Sequence, residues 1–140
     1  MVKTYNPKQV TVSIGTHIVT GFADDSFITV ESLGDGISSV SGCDGEVGRS
    51  IDPNGQYSVK ISLLQTSDSN QFLSKLYDSD KKNGDGIRPL LIKDLRGGMV
   101  FQAESAWVKQ RAGITKGKSL NNREWELETD EGTLEEGKYS

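Results

Sequence analysis

The residue types that carry most protein chemistry are thinly spread along this chain. One histidine, His17, and one cysteine, Cys43, cannot make a Cys/His zinc set or an internal disulfide. His17 follows Gly15-Thr16 in a predicted turn, with no Ser or Cys nucleophile in a recognisable elbow nearby, and reads as a surface turn histidine. Cys43 reads as a small packed side chain rather than a reactive thiol. The run Asp78-Ser79-Asp80-Lys81-Lys82-Asn83-Gly84-Asp85-Gly86 begins like a calcium loop, but Lys82 stands where an oxygen ligand is required, so it reads as a helix end and a turn. Gly34-Asp35-Gly36 and Gly45-Glu46-Val47-Gly48 lack the spacing and the strand-to-helix setting of a dinucleotide site and read as turns.

Carboxylates and tryptophans are the remaining candidates. Asp24-Asp25 and Glu135-Glu136 are adjacent acids, the pattern of a solvated surface rather than of a glycosidase pair flanking a bond. Trp107 and Trp125 could form a sugar-stacking platform on a lectin-like sandwich, yet each shares its strand face with apolar residues, which favours core or interface roles. Glu124, Glu126 and Glu128 recur at every second position and therefore form a row on one side of a strand. Such a row is either a solvated face or a negatively charged wall to which a passing polyanion would not adhere. No catalytic, cofactor-binding or metal-ligating constellation emerges, and the chain reads as a non-enzyme that needs no cofactor.

Composition narrows the class further. A length of 140 residues fits one domain, residues 1–140, with a core of its own. A formal charge of −4 argues against a protein that neutralises nucleic-acid phosphates. The N-terminal residues contain no apolar run of signal-peptide type, and no stretch approaches the ~18 apolar residues of a membrane span, so synthesis and folding in a cytoplasm are expected. Sixteen glycines against three prolines, with 34% hydrophobic residues, suggest turns and short strands.

The elements that must position these residues are mostly strands. Val10, Val12 and Ile14 alternate with polar residues, and Gly15-Thr16-His17 turns the chain into Ile18-Val19-Thr20, an N-terminal hairpin. Residues 26–32 form another strand after Asp24-Asp25. Residues 33–49 are rich in Gly, Ser and Asp, with isolated Ile37, Val40 and Val47, and read as an extended hairpin arm. Asp52-Pro53-Asn54-Gly55 is a strong turn, and Tyr57, Val59, Ile61 and Leu63 then alternate clearly. One helix is predicted over residues 68–82, capped by Ser67, Asp68 or Ser69, with a stripe of Phe72, Leu73, Leu76 and Tyr77, ending near Lys81-Lys82-Asn83-Gly84. Residues 87–95 centre on Leu90-Leu91-Ile92 and read as a strand covered on both faces. Gly97-Gly98 leads into residues 99–109, where Met99, Phe101, Ala103 and Trp107 are expected on one face. Residues 112–121 form a loop, residues 122–129 the last strand, and residues 130–140 a mobile tail or an arm ordered by a partner. The expected architecture is mainly β, a sandwich or barrel-like sheet with one flanking helix.

Strung together, several segments resemble the tail tube subunits of contractile-tailed bacteriophages. They are Thr4-Tyr5-Asn6-Pro7-Lys8, Thr20-Gly21-Phe22-Ala23-Asp24, Asp44-Gly45-Glu46-Val47, Leu63-Leu64-Gln65-Thr66-Ser67-Asp68-Ser69-Asn70, Pro89-Leu90-Leu91-Ile92-Lys93-Asp94-Leu95, Ala106-Trp107-Val108 and Asn122-Arg123-Glu124-Trp125. They follow the family's order and span nearly the whole chain. The resemblance implies a fold similar to type VI secretion tube proteins and hexameric rings stacked into a hollow tube inside a contractile sheath. It implies a virion protein assembled in the bacterial host cytoplasm. Its partners would be its own copies, the tail sheath protein, and baseplate and tail terminator proteins, with no membrane partner and with phage DNA passing through the lumen without specific binding. Tyr5, Asn6, Pro7, Ser41, Asp44, Glu46 and Arg49 become candidates for inter-subunit or ring-stacking contacts, and Glu124, Glu126 and Glu128 for the lumen or a solvated face. The alternatives are another ring-forming virion protein such as a tail terminator, or a small ligand- or carbohydrate-binding β-sandwich.

Overall fold

The computed structural model of the chain describes residues 2–139. Its strands are β1 (Val10–Ile14), β2 (His17–Ile18), β3 (Ile28–Ser32), β4 (Ile37–Ser41), β5 (Val47–Ile51), β6 (Tyr57–Leu64), β7 (Arg88–Asp94), β8 (Met99–Gln110), β9 (Asn122–Thr129) and β10 (Gly132–Glu136); the helix α1 spans Ser69–Asn83. Eight strands form one antiparallel sheet in the order β2-β1-β7-β8-β9-β6-β3, with β10 continuing beyond β9 along β8, while β4 and β5 form a separate two-stranded sheet.

Alternation sets the two faces of the large sheet. Val12 and Ile14, Leu90 and Ile92, Phe101 and Ala103, Trp125 and Leu127, and Val59, Ile61 and Leu63 all point inward and are almost fully buried. A helix of 15 residues cannot cover an inner face that wide, so the sheet buries it by curling. Ile28 and Val30 of the terminal strand β3 consequently line the same cleft as Val10 of β1 and Ile92 of β7, from the other side of the sheet. The result is a barrel-like, mainly β fold with one flanking helix, as expected.

The helix closes one end of the curl. Leu73 and Leu76 are buried, and Phe72 and Tyr77 pack against the core beside them, the stripe predicted from spacing. Asp68 is the N-cap residue but makes no side-chain cap; Ser67 Oγ instead accepts the Ser69 amide at 3.2 Å and donates to the Thr20 carbonyl. Gly84 terminates the helix at φ 70°, its amide bonded to the Asp80 carbonyl, because a left-handed residue turns the chain out of the helix.

Four expectations are corrected. Trp107 does not share a face with Phe101: β8 places Ala103 and Ala106 opposite Leu90 and Arg88 of β7, a bulge that reverses the alternation and sends Trp107 to the outer face. β7 is not covered on both sides, since Leu91 keeps 39% exposure on the outside of the curl and α1 lies against β8. The polar segment after residue 130 contains β10, paired with β8 from Gly132↔Ala103 to Glu136↔Met99, because the amides and carbonyls of that edge of β8 are otherwise open once β9 ends. His17 is half-buried rather than a plain surface residue: its ring stacks on Phe72 at 4.1 Å and Nε2 hydrogen-bonds Ser69 Oγ at 2.9 Å, tying the first hairpin to the start of α1.

Candidate assembly surfaces

The arm is built from residues that pair locally but cannot build a core. Ile37↔Ile51, Ser39↔Arg49 and Ser41↔Val47 alternate with Ser38↔Ser50 and Val40↔Gly48, so one face carries Ile37, Ile51 and Val47 and the other Val40. All ten strand residues are exposed, with Ile37, Val40, Val47 and Ile51 retaining 60–74% of their accessible surface. At the tip, Gly45 at φ 86° makes the turn and Asp44 Oδ1 accepts the Glu46 amide at 3.1 Å. Cys43 sits in this turn and is exposed, not packed as expected, because nothing lies over a two-stranded sheet.

At the base of the arm Asp52 accepts hydrogen bonds from the amides of Asp35 at 2.7 Å and Asn54 at 3.0 Å. These bonds, that from Asp35 first, favour the carboxylate and hold its pKa below the ordinary 3.8. Asn54 Oδ1 accepts from Gln56, so the Asp-Pro-Asn-Gly turn feeds the chain straight into β6.

The acidic row lies where alternation placed it. Glu124, Glu126 and Glu128 project from the outer face of β9, opposite Ser62, Lys60 and Ser58 of β6. Lys109 Nζ lies 3.7 Å from Glu126 and 3.6 Å from Glu128. Lys60 and Lys109 therefore interrupt the negative field of the row. The Lys109 pairs are partly exposed and contribute at most about 1 kcal/mol each.

The N-terminal candidates sit apart from the arm. Asn6 Oδ1 caps a short turn by accepting the Lys8 amide, Pro7 opens that turn, and the Tyr5 ring meets Tyr139 edge-on at 6.2 Å. Tyr139 lies beside Asp94, whose carboxylate raises the phenol above its ordinary value of 10.0. Tyr5, Pro7 and Tyr139 border a cleft of about 740 Å³ at the open seam of the curl, walled by Val10, Phe27, Ile28, Val30, Ile92, Met99 and Leu134. Asp24, Asp25, Asp94 and Glu136 also line it, and none of its lining residues is basic. Asp24 and Asp25 are exposed, as their adjacency suggested, but sequence reasoning missed the cleft they border.

Nothing here resembles a catalytic centre. Among the described residues no group of three or more His, Cys, Asp or Glu side chains is placed to hold a metal ion. Trp125 is 3% exposed, with Nε1 donating to Asn70 Oδ1 at 3.0 Å, so it cannot stack a sugar.

No family model matches the sequence. Structural protein ORF10 of Pseudomonas phage KPP10, however, is 32% identical over 145 aligned positions, covering 96% of this chain and 82% of its own. The chain belongs to this family of phage structural proteins. The family is structural rather than enzymatic, in keeping with an architecture of arms and edges. Solved structures carry the same fold at low identity. A chain of the anti-feeding prophage tube-terminating cap superposes with TM-score 0.64 at 9% identity, covering 98% of this chain and 94% of that one. A chain of the sheath-tube complex of an extracellular contractile injection system, PVC, gives TM-score 0.65 at 10% identity, covering 95% and 92%. A chain of the sheath/tube terminator of the same system gives 0.59 at 11%, covering 94% and 96%.

Proposed function

We propose that this phage structural protein is the tube subunit of a contractile tail, closing into hexameric rings that stack into the channel for DNA delivery. The observation that carries the reading is the arm: β4 and β5 pair with each other, touch no core, and expose four aliphatic side chains whose burial is worth roughly 1.5–3 kcal/mol each. A neighbouring copy is the cover that a self-assembling ring supplies. Ring closure would also pair the outer edges of β2, β3 and β10, which an isolated subunit leaves open.

Ser41, Asp44, Glu46 and Arg49 on the arm, and Tyr5, Asn6 and Pro7 at the N-terminal turn, are the proposed contact residues. Glu124, Glu126 and Glu128 are proposed for the lumen, where repeated carboxylates keep phosphates from binding. Sheath, baseplate and terminator proteins are the proposed partners, in a virion assembled in the host cytoplasm.

The test is electron microscopy and light scattering over a concentration series. Rings and tubes are expected, and removal of residues 38–47 should leave the fold intact while weakening stacking. Monomers at every concentration, with or without other tail components, would end the proposal. A second reading, a tail terminator, is favoured by the likeness in fold to a tube-terminating cap and a sheath/tube terminator. Discrete rings that never elongate would select it.

A further inference from the structure

The acidic cleft has a counterpart elsewhere on the same molecule. Between β8 and β9, residues 111–121 contain Arg111, Lys116 and Lys118 and no acid at all, and Arg123 follows at the start of β9. Both ends of this segment are anchored. Ala112 and Arg123 are buried, Arg111 pairs with Asp78 and bonds Ser74 Oγ, and the Asn121 amide donates to Gln65 Oε1 at 3.2 Å. Asn121 Nδ2 reaches back to the Thr115 carbonyl at 3.2 Å, so the loop is braced across its own span. What it presents is a knob of exposed Ile114 and Leu120 flanking exposed Lys116 and Lys118. Neither lysine forms an ion pair among the described residues.

We infer that residues 112–121 of one copy seat in the Asp24–Asp25 cleft of the next, with Ile114 and Leu120 against its apolar walls and Lys116 and Lys118 against its carboxylates. This rests on the self-assembly proposed above and gives that assembly a contact pair. Charge selects the occupant. The arm also bears apolar residues, but it carries Asp35, Asp44, Glu46 and Asp52 against Arg49 alone, and an acidic arm is repelled by a cleft whose charged residues are all acidic.

The placement suits the role. The knob leaves β8 at Gln110 while Met99, at the strand's other end, lines the cleft. The Asp24-Asp25 wall lies nearer the knob: the Ala23 amide bonds the Ser62 carbonyl of β6, and the next β6 residues, Leu63 and Leu64, pair with Arg123 and Asn122 where the knob ends. Knob and socket are different patches of one subunit, so copies joined through them make a heterologous contact, which closes into a ring or continues as an open chain according to the rotation between copies.

Two measurements test the pairing. A photo-crosslinking benzoylphenylalanine replaces Phe27 in the cleft wall, and cross-linked peptides from the native-length assembly are sequenced by mass spectrometry. Cross-links to residues 112–121 are expected; cross-links to residues 37–51 instead overturn the inference. In parallel, Lys116→Glu with Lys118→Glu, and separately Asp24→Lys with Asp25→Lys, are each expected to raise the critical assembly concentration at least ~10-fold, and the four changes together to restore it to within ~3-fold. These positions line the surface, and circular dichroism of the monomer verifies that each variant folds. Reversed-charge variants that assemble as the native chain does overturn the pairing while leaving the tube reading in place. A native chain that never assembles removes both.

Discussion

Replacing Arg123 with methionine is expected to stabilise the folded subunit. The side chain projects inward from β9 on the face of Trp125 and Leu127, in register with Leu63 of β6, and retains only 7% exposure. Its Nη1 has no hydrogen-bond partner among the described residues. A buried polar group left unpaired costs about 1–3 kcal/mol, and more when it is charged, while replacing buried ionic groups by apolar side chains of similar volume has stabilised proteins by about 1–4 kcal/mol. Methionine keeps the packed, unbranched stem and discards the guanidinium. Allowing for imperfect filling of the vacated space, the gain should be about 1–3 kcal/mol. With a urea slope of about 2 kcal/mol/M, the midpoint rises by roughly 0.5–1.5 M. Urea unfolding followed by tryptophan fluorescence, below the assembly concentration, measures this directly because Trp125 is a buried reporter. Arg123→Lys, which retains the charge, should show no such gain. A loss of about 1 kcal/mol or more in Arg123→Met would refute the reasoning, since it would mean that the guanidinium is compensated, for example by an ordered buried water.

Other positions give equally direct expectations. Trp125→Phe removes the indole donor at 3.0 Å from Asn70 Oδ1 and should cost about 1–3 kcal/mol in urea unfolding followed by far-ultraviolet circular dichroism. Gly21→Ala should cost more than about 1 kcal/mol, because φ is +75° and the new Cβ would stand 2.6 Å from Ser67 Cβ; a thermal melt reads it. Asp52 has a folded pKa below 3.8, so its hold on the Asp35 and Asn54 amides is present above the unfolded value and lost as pH falls through the depressed one. Amide exchange at residues 35 and 54 should therefore accelerate in acid relative to neighbouring amides, and Asp52→Asn should show that acceleration already at neutral pH.

Much of the fold was legible where local patterning and global packing agree. Val59, Ile61 and Leu63 alternate without interruption and form β6; Trp125 and Leu127 against the glutamates give β9 with the bounds expected; the stripe of α1 buries as its spacing requires. Trp107 was misplaced because a period of two cannot reveal the extra residue of a bulge, which shows only when β8 is laid beside β7. β10 escaped notice because Leu134 is its only large apolar residue; its pairing depends on an edge of β8 that no local pattern reports. Cys43 misled because small apolar character predicts burial only where something lies above it.

The candidate surfaces divide in the same way. The arm and the row of glutamates follow from composition and alternation. The cleft does not, because it exists only where curling brings β3 to face β1 and β7, so that an acid pair at residues 24 and 25 meets apolar walls from distant sequence. Arg123 could have been flagged earlier, since β9 alternation already put it on the face of Trp125.

Negative-stain microscopy of the purified chain across a concentration series tests the central claim most directly. The account predicts six-fold rings that stack into hollow tubes above a threshold concentration. A chain that remains monomeric at every concentration, alone and with other tail components, would contradict it.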